Sequence, residues 1–428
     1  MAIVSRAAPG EPLATASATK DKPLTCAPPP LAKKIEFAIH MYSLQAVLSV
    51  PLWVRGWREY FYPPTGGPDI VKAYECRPAL PTRIFFPADY DQGKTHTPLP
   101  TVLTVHGGGF CIGVNRDDDE YNRALADTQK VLVISLNYSK SPAVPFPTAL
   151  HDLEALYHAV VADESLPLAR AGGPPHAHAH APSKSKIAVL GFSAGGNLAL
   201  ALPQLPSIRA SPNAPSAAVS VYGCLDLSRD PAAKLRNRFY KPALPLPQGS
   251  RIDSLASLAP VFDWSYIPYG HDLTDPLLSP AYAALGDLPP HVFLVAAELD
   301  MLAHESWRLA CRLGNEARRL QQKPTAGDRE VPDPDSKVDR VKCVGKRASS
   351  KRKGALEPAD GGDDRYGWAE TWAGGSVNWL LVPDAIHGFD NFNIRQVMGG
   401  EESMLDAEMK TKAYVERIGA WLHNVVWK

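Results

Sequence analysis

A mainly parallel β-sheet with helices on both faces is the fold class predicted by this chain of 428 residues, and two observations carry that prediction. From Thr82 onward, short β-rich apolar runs alternate with helical patterns, as strands joined by covering helices do. One such run, Ile187 to Leu190, passes through a glycine turn bearing a serine, Gly191-Phe192-Ser193-Ala194-Gly195-Gly196, straight into an apolar helical pattern.

Taken in order, residues 1–30 are rich in Ala, Pro, Thr and Lys and read as a disordered tail. They lack the continuous apolar stretch of a secretory signal, so the expected location is cytoplasmic. Residues 31–68 are expected to form N-terminal cap helices that end at the Pro/Gly break Pro63 to Pro68. Their stretch Ile35 to Val54 is interrupted by Glu36, His40, Gln45 and Pro51. That favours an amphipathic helix, with peripheral lipid contact, over a bilayer span. Strands are expected at Arg83 to Pro87, Thr101 to His106, Val131 to Asn137, Ile187 to Gly191, Ala217 to Tyr222, His291 to Ala297 and Val377 to Val382. Helices are expected at Ala149 to Ala162, from Gly195, at Glu305 to Leu320 and near Glu401 to Val426.

Three stretches break the rhythm. Ala171 to Ser185 carries His176, His178 and His180, but its Gly, Pro and Ala describe a surface loop better than a metal site. Residues 226–275 suit an excursion above the sheet, a cap. Residues 321–375 are mostly polar, with a basic cluster Lys346 to Lys353 followed by the acidic stretch Glu357 to Asp364, and read as a disordered insertion.

Composition narrows the function. The 45 basic and 45 acidic residues cancel, so no global field would draw the chain to nucleic acid. The cysteines Cys26, Cys76, Cys111, Cys224, Cys311 and Cys343 have neither zinc-knuckle nor dithiol spacing and read as free thiols.

The chemistry concentrates at two turns. A G-x-S-x-G pentapeptide between a strand and a helix makes a nucleophile elbow, with Ser193 thrust out on a strained turn and the helix N-terminus beneath it. Earlier, the strand Thr101 to Val105 runs into His106-Gly107-Gly108-Gly109-Phe110. The uncovered N–H groups of Gly108 and Gly109, with Gly107 as a further candidate, form an oxyanion hole completed by Ala194. His106, at the strand end, is expected to hold that loop in shape rather than serve as the base.

These motifs resemble the hormone-sensitive-lipase-like branch of the α/β-hydrolase family. Val144 to Asp152 and Asp275-Pro276-Leu277-Leu278-Ser279-Pro280 match in the right order, and the likeness covers about 60% of the chain. The resemblance implies that residues 69–428 form an α/β-hydrolase domain and that the chain is a carboxylic-ester hydrolase without metal or organic cofactor. It places the acid at Asp300, with Glu298 as the rival carboxylate, and the base at His387 in His387-Gly388-Phe389. The implied reaction is acyl transfer through Ser193, on short-to-medium acyl esters, with amides and thioesters open to the same chemistry. A ligand receptor on a hydrolase fold and an interaction protein acting through the basic insertion are the other readings. Phe192 stands where the family often has an acid, and Ala303-His304-Glu305 where an arginine and two acids are usual. Tyr42, Trp53, Trp57, Phe61, Phe262, Trp264 and Tyr266 are candidates to line the acyl pocket.

Overall fold

The structure is a computed structural model and describes residues 24–93, 97–172, 184–236, 254–321, 367–383, 385–391, 394–395 and 401–428. The Val-, Ile- and Leu-rich runs form the strands β1 (Ile70–Lys72), β2 (Thr82–Phe85), β3 (Thr101–Val105), β4 (Leu132–Leu136), β5 (Ile187–Phe192), β6 (Ala217–Val221), β7 (His291–Ala297), β8 (Gly367–Trp372) and β9 (Gly375–Val382). They join in one sheet, in the order β1-β2-β4-β3-β5-β6-β7-β9-β8. From β4 across to β9 all neighbours are parallel, whereas β1, β2 and β8 attach antiparallel at the two edges. Strands β3, β5 and β6 are buried at every residue, as expected where helices cover both faces.

The helices are α1 (Leu31–Phe61), α2 (Asp119–Gln129), α3 (Thr148–Ala162), α4 (Ala194–Ala201), the single turn α5 (Pro206–Arg209), α6 (Pro231–Arg236), α7 (Ser254–Tyr266), α8 (Ala303–Gln321) and α9 (Glu401–Trp421), which runs on into a π-helical turn at Leu422–Val426. Alternation along the strands divides the core. Leu103, Ile134 and Val189 meet Leu150, Leu153 and Tyr157 of α3 on one face. Val102, Val133 and Leu190 share the other with Leu125 of α2 and Tyr414 and Ile418 of α9. Each such side chain contributes about 1.5–3 kcal/mol on burial.

All seven expected strands and all four expected helices are present, with ends shifted by a few residues. Three elements lacked a strong sequence signal. β1 has only three residues, α2 begins with acidic and polar residues, and β8 lies inside the stretch expected to be wholly disordered. That expectation needs correcting at its C-terminal end. β8 forms a hairpin with β9, from Gly367↔Leu380 to Trp372↔Gly375, and buries Trp368 edge-on against Trp307. Its Gly-Trp-Ala-Glu-Thr-Trp sequence hides this because an edge strand exposes alternate residues. The tail boundary also moves: Thr25 bridges to Asp272, and the Leu273 N–H donates to the Leu24 carbonyl at 2.8 Å. The basic cluster Lys346 to Lys353, the histidines His176, His178 and His180, and Cys343 lie outside the described residues. Among the described residues, Cys26, Cys76, Cys111, Cys224 and Cys311 are free thiols.

Above the C-terminal strand ends, α1 crosses α7. Met41 is buried against Cys111, Val261 and Phe262, and Gln45 Nε2 donates to the carbonyls of Cys111 and Ser141, both at 2.8 Å. These contacts seat α1 on the body as one helix, although its length and apolar composition would also suffice to cross a bilayer.

Candidate active site

The loops that follow β3, β5, β6, β7 and β9 converge at one edge of the parallel sheet. After β5, the backbone turns at Ser193 with φ +53° and enters α4 directly. A non-glycine residue in this region is strained, and the surrounding packing holds it there. A Cβ at Gly191 would come within 1.9 Å of the Gly195 carbonyl oxygen, so the turn can close only with glycine. Phe192 braces the elbow by packing edge-on against Tyr121, with ring centroids 4.7 Å apart. An aromatic contact thus occupies the place where the family often has an acidic residue.

Strands β7 and β9 are parallel neighbours with Ala297 opposite Val382, so the loops leaving them lie side by side. The first carries Asp300, 1% exposed, and the second carries His387. His387 Nδ1 lies 2.7 Å from Asp300 Oδ2, and its Nε2 lies 2.8 Å from Ser193 Oγ. Asp300 Oδ1 accepts the Leu302 N–H at 2.9 Å, which fixes the carboxylate plane. Glu298 is also buried, but its N–H is tied to the Val382 carbonyl and the imidazole contact belongs to Asp300.

In the loop after β3, the Gly108 carbonyl accepts the N–H groups of Cys111 and Ile112 at 3.0 and 2.9 Å, which folds the chain into a tight turn. Gly109 has φ +57°, and a Cβ there would strike the Phe262 ring of α7 at 2.5 Å. Among the described residues the N–H groups of Gly108, Gly109 and Ala194 make no hydrogen bond, and they remain available to an anionic oxygen beside Ser193. Gly107 also anchors the loop through its other backbone group. Its carbonyl accepts from His106 Nδ1–H at 2.7 Å, while His106 Nε2 accepts from Lys140 Nζ at 3.0 Å. Burial and the Lys140 charge hold the His106 pKa well below the usual histidine range. Stacked on Tyr138 at 4.4 Å, this neutral ring braces the glycine loop.

A cleft of about 410 Å³ opens beside Ser193, lined by Gly109, Phe110, Ala194 and Phe262 together with Cys224, Lys234 and Asp263. Of the aromatics proposed for the acyl pocket only Phe262 lines it. Tyr42, Trp53, Trp57 and Phe61 point outward from α1, Trp264 packs on Phe37, and Tyr266 stacks on Phe110. A 3.6-residue spacing identifies a helix but does not tell which of two apolar faces turns inward.

Sequence reasoning missed two supporting groups. Tyr222, with φ +39° at the end of β6, sets its ring 4.9 Å from the His387 ring and donates its hydroxyl to Asp390; Tyr414 donates to the other Asp390 oxygen. Burial raises the Asp390 pKa, so this carboxyl depends on both phenols. The second group is Glu305, which accepts the N–H groups of Leu225 and Asp226 and pairs with Lys234 at 2.6 Å. It braces the loop after β6, not Asp300. The signal available was position, since each group sits at or faces the C-terminal end of a parallel strand. Among the described residues, no cluster of three or more His, Cys, Asp or Glu side chains is arranged to hold a metal ion.

A family model described as alpha/beta hydrolase fold matches residues 102–327. The chain is 30% identical over 239 residues to an arylesterase of Saccharolobus solfataricus, covering 55% of this chain and 66% of that protein. It is 28% identical over 198 residues to an acetyl-hydrolase of Streptomyces hygroscopicus, covering 46% and 56%. It is 29% identical over 145 residues to an arylacetamide deacetylase of Bos taurus, covering 33% of each. The match thus spans from one third to just under two thirds of these relatives' lengths. Among solved structures, an esterase from Pyrobaculum calidifontis superposes with a TM-score of 0.53 at 21% identity, covering 84% of this chain and 85% of that one.

Proposed function

The chain belongs to the alpha/beta-hydrolase fold family, and from that premise we propose that it is a serine carboxylic-ester hydrolase acting on short-to-medium acyl esters through Ser193, His387 and Asp300. The observation that carries this reading is the continuous chain Asp300 Oδ2, His387 Nδ1, His387 Nε2, Ser193 Oγ, at 2.7 and 2.8 Å. His387 Nε2 takes the Ser193 proton as Oγ attacks the ester carbonyl carbon, and Asp300 stabilises the imidazolium that forms. The carbonyl oxygen becomes an oxyanion facing the N–H groups of Gly108, Gly109 and Ala194, each such donor being worth about 2.7–4 kcal/mol of barrier. The intermediate collapses as the C–O bond to the alcohol breaks and His387 protonates the leaving oxygen. Water, deprotonated by His387, then releases the acid from the acyl-enzyme. The acetyl-hydrolase name of one relative favours a small acyl group.

The test is active-site labelling of the purified chain with a fluorophosphonate, followed by hydrolysis of 4-nitrophenyl acetate, butyrate and octanoate. Labelling of Ser193 with turnover is the expected result. Neither labelling nor turnover, with ester still bound, would instead make the chain a receptor on a hydrolase scaffold.

The outward face of α1 supports peripheral contact with a lipid surface. Leu31, Ile35, Ile39, Tyr42, Trp53 and Trp57 recur at helical spacing and are all exposed, beside the face on which Met41 and Gln45 pack against the body. Aromatics at one end of an apolar stripe suit the headgroup boundary of a bilayer. Flotation with phosphatidylcholine/phosphatidylserine vesicles should retain the chain and release the variant Trp53→Ser/Trp57→Ser.

A further inference from the structure

The cleft beside Ser193 is polar on one side. Lys234, Cys224 and Asp263 share it with the apolar residues Phe110, Phe262 and Leu255. The Lys234 charge is already matched: its Nζ sits 2.6 Å from Glu305 Oε1. Asp226, on the loop beneath, faces Arg229 and Arg308 at 3.3 and 3.8 Å. The Asp263 carboxylate differs, because among the described residues it makes no hydrogen bond or ion pair and lines the cleft directly. Once Lys234 and Glu305 cancel, the described residues leave one negative charge, on Asp263, facing the cleft in which an ester would lie against Ser193.

We propose, building on the reading of this chain as an ester hydrolase, that Asp263 is a specificity residue and that the cleft selects esters carrying a cationic group a few atoms from the reacting carbonyl. A quaternary ammonium suits it well. Such a cation is weakly hydrated, so leaving water costs little, and the rings of Phe110 and Phe262 line the same space. A carboxylate retained in a cleft without a protein partner is costly unless the ligand supplies the opposite charge.

Burial pushes the Asp263 carboxyl up to about 6, against the opposing pull of Lys234. Around it stand Lys234 of α6, Cys224 after β6, Cys111 after the glycine loop and Cys26 of the N-terminal segment. Burial raises the three thiols, and the net effect on Lys234 is also upward, so all four keep their protonation state between pH 5 and 8. Glu305, raised to about 7 by burial, also titrates in this window and is held by Lys234; so does Lys140, lowered to about 7 by burial, which lies against His106 behind the glycine loop.

The experiment compares two isosteric ester pairs. One pair differs on the acyl side, 4-nitrophenyl 4-(trimethylammonio)butyrate against 4-nitrophenyl 5,5-dimethylhexanoate. The other differs on the alcohol side, choline butyrate against 3,3-dimethylbutyl butyrate. Both members of a pair use the same triad, so the ratio of their kcat/KM values isolates the cleft. At pH 7.5 at least one pair should favour the cation about tenfold in the unaltered chain, and Asp263→Asn should abolish that preference. The preference should also fade in the unaltered chain as pH falls from 7.5 to 5, which tests the proposal without a variant. Asp263→Asn should show neither the preference nor its fading at any pH in this range. Hydrolysis of the neutral esters with no cation preference, or with a preference that survives Asp263→Asn, overturns this proposal alone. No hydrolysis of any of the four overturns the esterase reading with it.

Discussion

Asp300 and His387 are 87 residues apart in the chain and 2.7 Å apart in space, because the strands that precede them are parallel neighbours with Ala297 opposite Val382. The first prediction tests this contact. Asp300→Asn should lower kcat by roughly four orders of magnitude, since an amide stabilises the wrong imidazole tautomer and leaves Ser193 without a proton acceptor. Glu298→Gln should cost far less. Steady-state kinetics on 4-nitrophenyl butyrate decides between them, and the reverse order of losses would move the acid to Glu298.

Ser193→Ala should abolish fluorophosphonate labelling and cut ester turnover by about six orders of magnitude, leaving only what binding and the oxyanion donors supply. Because residue 193 sits at φ +53°, the strain remains in the variant and its melting temperature should change little. Mass spectrometry of the labelled chain checks the site. A label on any other serine refutes the assignment.

In the proposed mechanism Tyr222 positions the base, through its ring on His387 and its hydroxyl on Asp390. Tyr222→Leu should lower kcat roughly 10- to 100-fold by loosening the imidazole, with KM for a small ester nearly unchanged. Tyr222→Phe keeps the ring and should recover much of that loss. Equal kcat in the unaltered chain and the leucine variant would remove Tyr222 from the machinery.

Much of this was legible before the structure. Every parallel strand from β3 to β9 follows an apolar run, and Ser193, Asp300 and His387 each follow such a run at the strand's C-terminal end. What escaped depends on partners distant in sequence. The Trp368 side chain is buried only because Trp307 of α8 lies under it, and Asp263 lines the cleft only because α7 leans over the glycine loop with Phe262. The aromatics of α1 were misplaced for the same reason. That helix carries two apolar faces, and only Met41, Gln45 and their partners reveal which one meets the body.

The position of Asp263 also has a stability consequence with a definite sign. Its folded-state pKa is raised from 3.8 to about 6, so the folded chain binds this proton more tightly than the unfolded chain. The contribution is fully present below about pH 4 and is lost as pH rises through 6. Asp263→Asn removes the charge that must be buried at higher pH. The variant should therefore gain about 2 kcal/mol relative to the unaltered chain on going from pH 4 to pH 8. Urea denaturation at the two pH values measures it, and an equal difference between the chains at both would show that the carboxyl is not held up by burial.

The last prediction concerns the polar stretch after α8. Residues 322–366 are mostly polar, and the closure cost of a loop grows only slowly with its length, so they are expected to be dispensable for chemistry. Joining Gln321 to Gly367 through a short Gly/Ser linker should leave kcat on a small soluble ester within a few-fold of the full chain. Extending the excision through Gly374 is a different experiment, because it removes β8, strips the ladder from the edge of β9 and uncovers Trp307. That variant should lose about 3–5 kcal/mol, the usual cost of removing one buried tryptophan, and Trp368→Ala in the full chain should lose a similar amount. Urea denaturation of the three variants alongside their kcat values separates the two segments. If the shorter excision yields a folded chain without hydrolysis, residues 322–366 help to position His387 or the cap, and they are part of the machinery.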